Sequence, residues 1–292
     1  MQIRSFQSSD RETLLEISKH TWGGYDQLPY ELDELLANPS SYLYVLEYRN
    51  RVVAFANINV IDEGKTGWLE HMRVHWRYRK RGFAWVMTQG LIAKAETLGV
   101  NRLRLATTVE NEATHKIATR LKMRQVLQMK LFWKGNYRGI RWKHSRVPVK
   151  ACSADEAYAI LRKYPKLIPE GIITYNWHCF DFSKMLLEAM ETQFQFWKIA
   201  RNDTIGALSM GFQQLFHGAL MWVSTIYALD EGSFHSALSH QLQAAKDVKA
   251  QGVLCFHSSP YQAGQKIPGL KRNTFATELV LLEKRQPFTP LS

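Results

Sequence analysis

The apolar positions of this chain change period repeatedly, and each change marks an element. Gln2 to Phe6 alternates as a short strand; beyond it Leu14, Leu15 and Ile17 fall on one helical face, with Ser8 or Ser9 placed to cap it. Pro29 suits the start of a second helix carrying Leu32, Leu35 and Leu36. Residues 41–48 and 52–61 are β-rich and meet at Arg49-Asn50-Arg51, which predicts a hairpin, and residues 66–74 form the next strand. After Gly82, Trp85, Val86, Leu91, Ile92 and Ala95 recur at helical spacing until Gly99. Residues 102–107 alternate as a strand, 111–121 follow helical spacing, and 126–133 form a last strand. The predicted order is βααβββαβαβ, an α/β unit.

Val147-Pro148 and Ser153 mark a boundary, after which the pattern restarts. Helices are predicted over 154–163, 183–192 and 233–250, and strands over 194–200, 204–212, 219–228, 253–256 and 277–283. Helices, then a meander, then strand, helix, strand and strand echo the first half. The chain therefore reads as two α/β domains, 1–146 and 147–292.

Charge sharpens this picture because it is unevenly placed. Residues 71–150 hold 19 of the 38 Lys and Arg but only three acids, a net +16 against −4 for the remainder. A polyanion should meet the middle of the chain. Three widely spaced cysteines, Cys152, Cys179 and Cys255, argue against a disulfide framework or a metal site and for a reducing compartment. No signal-peptide pattern opens the chain, and no apolar run approaches the roughly 18 residues needed to span a bilayer. These features predict a soluble cytoplasmic protein with no membrane partner.

The most informative run is Glu70-His-Met-Arg-Val-His-Trp-Arg-Tyr-Arg-Lys-Arg-Gly-Phe-Ala84, an apolar strand breaking into a basic turn that opens a helix. A helix start leaves backbone N–H groups unpaired and adds partial positive charge, so it holds phosphate well, and Gly82 permits close approach. Arg79-x-x-Gly82-x-Ala84 resembles the acyl-CoA signature of the GNAT family of N-acetyltransferases, and the order of elements over 1–135 resembles that α/β fold, which implies a mixed central sheet. The resemblance implies acetyl-CoA as co-substrate, with no metal. It further implies that Met72, Arg73 and Val74 offer backbone groups to the pantetheine, that Arg79, Lys80, Arg81, Gly82, Phe83 and Ala84 hold the pyrophosphate, and that Asn111 contributes at the start of the following helix. The family's tyrosine, seven residues beyond that asparagine, is here Ala118, so the departing thiolate needs another proton donor.

Transfer to an amine needs a proton acceptor near pH 7. Glu70, beside Trp68, Leu69 and Met72, is the first candidate, with a surface glutamate as the plain alternative. His71 faces away from Glu70 unless a bulge intervenes, and His75 suits turn surface. The run Trp22-Gly-Gly-Tyr-Asp-Gln-Leu-Pro29 resembles a stretch of the histidine N-acetyltransferase subgroup, whose members also carry an extra C-terminal domain. That resemblance places Tyr25 and Asp26 at the acceptor, Asp26 on its ammonium; a tight turn with Asp26 as helix cap is the alternative. The basic and aromatic run from Lys134 to Arg146 also suits single-stranded nucleic acid, although an exposed strand and linker explains it more simply.

The second half has no phosphate turn: Leu229-Asp230-Glu231-Gly232 is acidic where phosphate would bind. It reads as a degenerate GNAT-like domain that closes the acceptor pocket around Tyr175 to His178. Trp177, His178 and Cys179 read as core and seam, and His257-Ser258-Ser259 as no nucleophile. The functional expectation is direct acetyl transfer from acetyl-CoA to a small-molecule primary amine such as an amino acid. The alternatives are a protein lysine or N-terminal acetyltransferase, or a non-catalytic CoA-sensing or nucleic-acid-binding protein.

Overall fold

In chain order the first half forms β1 (Gln2–Ser5), α1 (Arg11–Lys19), α2 (Leu28–Ala37), β2 (Ser41–Tyr48), β3 (Arg51–Ile61), β4 (Thr66–Val74), α3 (Phe83–Thr97), β5 (Arg102–Thr108), α4 (Glu112–Arg120) and β6 (Arg124–Lys134). This is the predicted order. The computed structural model describes residues 1–137, 140, 147–258 and 278–288. Two compact units result: unit 1 takes residues 1–105, 113–124 and the C-terminal stretch from Leu282, and unit 2 takes 106–112 and 125–281.

In unit 1, β1 to β4 pair antiparallel in sequence order. The β2–β3 turn is the predicted one, with Arg49 and Asn50 both left-handed (φ 50° and 56°), as a two-residue hairpin requires. Leu14, Ile17, Leu28 and Leu32 of α1 and α2 bury against Val45 and Phe55 on one sheet face. Met87 and Leu91 of α3, with Ala118 and Leu121, bury against Ala54, Ala56 and Ile58 on the other. Each fully buried leucine stabilises by about 1.5–3 kcal/mol. Neither Ser8 nor Ser9 caps α1. A 3-10 turn over Ser8–Asp10 precedes it, and the Asp10 carboxylate accepts the Gln7 N–H (2.8 Å) while Arg4 clamps it (2.7 and 2.9 Å).

Unit 2 contains β7 (Val149–Cys152), α5 (Ala154–Lys163), β8 (Ile172–Tyr175), β9 (His178–Asp181), α6 (Lys184–Met190), β10 (Gln195–Arg201), β11 (Thr204–Phe216), β12 (Ala219–Ala228), α7 (Glu231–Asp247), β13 (Gly252–His257) and the start of β14 (Glu278–Arg285). Its sheet runs β6-β13-β12-β11-β10-β7. Three short strands, β7, β8 and β9, have no counterpart in the sequence reading. The β8–β9 turn at Asn176-Trp177 adopts φ 41° and 72° without a glycine or proline to announce it. Tyr227 holds that hairpin by accepting the buried Thr174 N–H (2.7 Å).

The units are not contiguous in sequence. From Gln125 onward β6 belongs to unit 2, where Lys130–Lys134 pairs antiparallel with β13. From Leu282 onward β14 belongs to unit 1, where Leu282 and Phe288 enter the core and Arg104 donates to Glu283 (2.9 Å). The division at 146/147 sorts sequence; packing sorts these strands otherwise. Among the described residues no helix is long and apolar enough to cross a membrane.

Candidate active site

The basic turn folds as a helix-opening loop. Gly82 sits at φ 82°, ψ −2° immediately before α3, a conformation that a Cβ would strain, and a Cβ there would meet nothing within 4 Å. Lys80 is also left-handed (φ 60°). Among the described residues, the backbone N–H groups of 79–85 donate to no partner. Consecutive unpaired donors at a helix start, with exposed Lys80 and Arg81 beside them, form an anion cradle that suits a pyrophosphate. Buried Phe83 packs against Tyr48 and Tyr78 (5.2 and 6.0 Å), anchoring the loop, and Arg81 lies over Tyr78 (5.5 Å).

Arg79 does not extend into the cradle. It donates to the carbonyls of Val74 (3.2 Å) and His20 (2.8 Å) and so braces the turn. The Met72 carbonyl likewise accepts from Arg73 (3.0 Å). Each carbonyl keeps a second lone pair for a ligand. The strand edge beside them opens: β4 and β5 pair in parallel only at Thr66–Arg102, Gly67–Leu103 and Trp68–Arg104. An acyl-CoA arm entering past Trp68 would meet the β4 edge where its register with β5 has ended.

A bulge in β4 sets the other side. Arg73 lies opposite Phe55 and Glu70 opposite Asn57, so His71 and Met72 together face the single residue Ala56, and His71 takes φ 52°. Because Phe55 and Asn57 share a face, Glu70 and Arg73 share it too, although they stand three positions apart in sequence. That face is the one covered by α1 and α2. Fully buried Asn57 donates to Glu70 Oε1 (2.8 Å) and accepts from Ser41 (3.1 Å), which fixes the amide and the carboxylate it holds. His71 Nε2 lies 3.7 Å from a Glu31 oxygen. His75 accepts the Arg77 N–H in the turn, and burial, with the Arg77 charge, lowers its pKa.

Asp26 differs from expectation. Its side chain is 1% exposed, and Arg73 occupies both oxygens, Nε on Oδ2 (2.8 Å) and Nη2 on Oδ1 (2.9 Å). Burial opposes its ionisation, yet the Arg73 hydrogen bonds and charge prevail and hold its pKa below the usual carboxylate value. Buried and doubly bonded, this carboxylate has no oxygen open to an ammonium. It orients Arg73 instead. Its capping contact to Leu28 N is long, 3.4 Å. Around the pair, Trp22, Tyr25 and Tyr30 are all more than half exposed, and the Trp22 ring lies 5.9 Å from the Arg73 guanidinium carbon.

Asn111 lies in unit 2, where its Nδ2 donates to Thr107 (2.9 Å). Ala118 is buried in the α4 core face. In unit 2, the strands matching β4 and β5 do not part: β12 and β13 pair over six residues, Met221–Gly252 to Ile226–His257. Asp230 caps α7 through the Ser233 N–H (2.9 Å), satisfying and charging negatively the end where phosphate would bind. Cys179 is fully buried and His178 bonds the Asn176 carbonyl (3.0 Å). His257 is buried with its ring 5.0 Å from Phe234. Ser259 and most of the Lys134 to Arg146 run lie outside the described residues.

Sequence reasoning missed Asn57 and the Arg73 side chain. The signal for Asn57 was present: an amide inside the apolar run Val53-Ala-Phe-Ala-Asn-Ile.

Residues 11–123 match the acetyltransferase (GNAT) family model. Among solved structures, a tandem GNAT protein from the clavulanic acid biosynthesis pathway aligns over 100% of this chain and 99% of its own, at TM-score 0.59 and 10% identity. GCN5-related N-acetyltransferases from Kribbella flavida and Anabaena variabilis align over 97% of this chain and 70% and 72% of theirs, each at TM-score 0.52, with 12% and 13% identity. These likenesses establish the fold, a tandem GNAT arrangement. No curated protein matches by sequence.

Proposed function

We propose that this chain, whose residues 11–123 match the acetyltransferase (GNAT) family model, is an N-acetyltransferase that moves the acetyl group of acetyl-CoA directly to a primary amine of a small molecule such as an amino acid. The observation that carries this reading is the β4 bulge, which sets Glu70 on the face covered by α1 and α2, on the strand that parts from β5 beyond Trp68.

In this reading the unpaired N–H groups of 79–85 hold the pyrophosphate and the parted edge of β4 holds the pantetheine, through Met72 to Val74. Glu70, oriented by Asn57, accepts a proton from the amine as its nitrogen attacks the thioester carbon. The C–N bond forms, the C–S bond breaks, and the sulfur leaves as thiolate. With Ala118 where the family pattern has tyrosine, the thiolate takes its proton from water or another group. Tyr25 lines the acceptor side, and Asp26 acts through Arg73. All three cysteines are free thiols, which supports a reducing cytoplasmic setting.

The test is thiol release from acetyl-CoA with amino acids, polyamines and lysine-containing peptides as acceptors. Turnover with free amino acids is expected. Turnover confined to peptides would replace this reading with protein acetylation, and acetyl-CoA binding without turnover on any acceptor would replace it with sensing.

A further inference from the structure

We infer that Arg73 is the acceptor-selecting residue, and that it selects an amine bearing a neighbouring carboxylate. This rests on the reading of the site as a small-amine acetyltransferase and names its substrate class.

A guanidinium has five N–H donors. In Arg73, Nε and one hydrogen of Nη2 are taken by Asp26, and one hydrogen of Nη1 by the Met72 carbonyl. One donor remains on each terminal nitrogen, a pair whose spacing suits the two oxygens of a carboxylate. The side chain keeps 17% of its surface exposed, so this is a partly buried group with an edge still to satisfy. Asp26 locks the guanidinium before any ligand arrives, which lowers the cost of ordering it. The Trp22 ring lies 5.9 Å from the guanidinium carbon, within cation–π range. In the same loop, Gln27 Nε2 is buried without a hydrogen-bond partner among the described residues, a further donor next to Asp26.

Position completes the case. The bulge puts Arg73 on the face of Glu70, two β3 positions away, about 7 Å along the strand. One end of that pair accepts a proton and the other donates to an anion. An α-amino acid presents a matching pair, amine and carboxylate, joined through a single carbon. A polyamine presents a second cation, which Arg73 would repel.

The experiment measures kcat/KM of the full-length protein for α-amino acids and for the decarboxylated amine of each. The expected ratio for the best pair is at least about 10² in favour of the amino acid, since a site built around a polar group discriminates strongly against its absence. Arg73→Lys keeps a cation for Asp26 but not the fork, and should lower that ratio at least tenfold; retained acetyl-CoA-induced thermal stabilisation would verify its fold. Decarboxylated amines turned over as well as the amino acids would overturn the inference alone. So would an Arg73→Lys protein that loses activity on both in proportion, which marks a structural role. Turnover of no amine in the panel overturns both this inference and the small-amine reading.

Discussion

Single residues in this site were legible by type but often not by role. Gly82 takes a left-handed backbone immediately before a helix start, a conformation that glycine adopts without strain whatever the rest of the chain does. Gly82→Trp places a large ring in the open space before α3, and acetyl-CoA affinity, measured by calorimetry, should fall by on the order of 10²-fold with the melting transition retained. Arg79 was legible as a motif position, yet its side chain braces two backbone carbonyls. Glu70 was legible as an acid on a strand; its orientation by Asn57 was not, because that contact crosses two strands. Glu70→Gln keeps the shape and removes the base, so kcat should fall by on the order of 10²-fold or more while the KM for acetyl-CoA changes little. A near-native kcat with an unshifted acidic limb would move the base to His71.

At the scale of elements, period and turn chemistry located nearly every helix and strand, since both depend on contacts a few residues apart. Short strands without alternation, β7 to β9, lacked that signal. The end of β14 holds an ion cluster of unit 1. Glu283, 1% exposed, receives Arg104 (2.9 Å), Arg124 (3.2 Å) and Arg285 (2.8 Å). Burial alone would raise its pKa, but the three guanidinium contacts hold it down to about 2 from an ordinary 4.5. A depressed carboxylate contributes stability that is complete above its unfolded value and is lost as pH falls through its folded one. Acid titration of the melting temperature should therefore decline between about pH 4.5 and 2, and Glu283→Gln should flatten that limb. The same variant should cost about 3–5 kcal/mol at neutral pH, as when one partner of a buried pair is removed.

For the whole molecule, the exchange of strands makes each half depend on chain from the other. A 1–146 fragment lacks Leu282, Phe288 and Glu283 and so part of the unit 1 core. It should show no cooperative melt by circular dichroism, whereas the full chain should gain about 2.7 kcal/mol from acetyl-CoA at 100 times Kd. Calorimetry should count one acetyl-CoA per chain, because unit 2 keeps β12 and β13 paired and caps α7 with Asp230. The amino-acid sequence by itself determined the α/β class, the tandem repetition, and the basic glycine turn at a helix start with no copy in the second half, since periodicity, turn residues and helix-start chemistry act within a few residues. Only the tertiary structure decided the β4 register that puts Glu70 and Arg73 on one face, the capture of Asp26 by an arginine 47 positions away, and the return of β14 to Arg104, 179 positions away. Register and long-range pairing follow from how whole sheet faces bury together, and a one-residue bulge reverses which side chains meet.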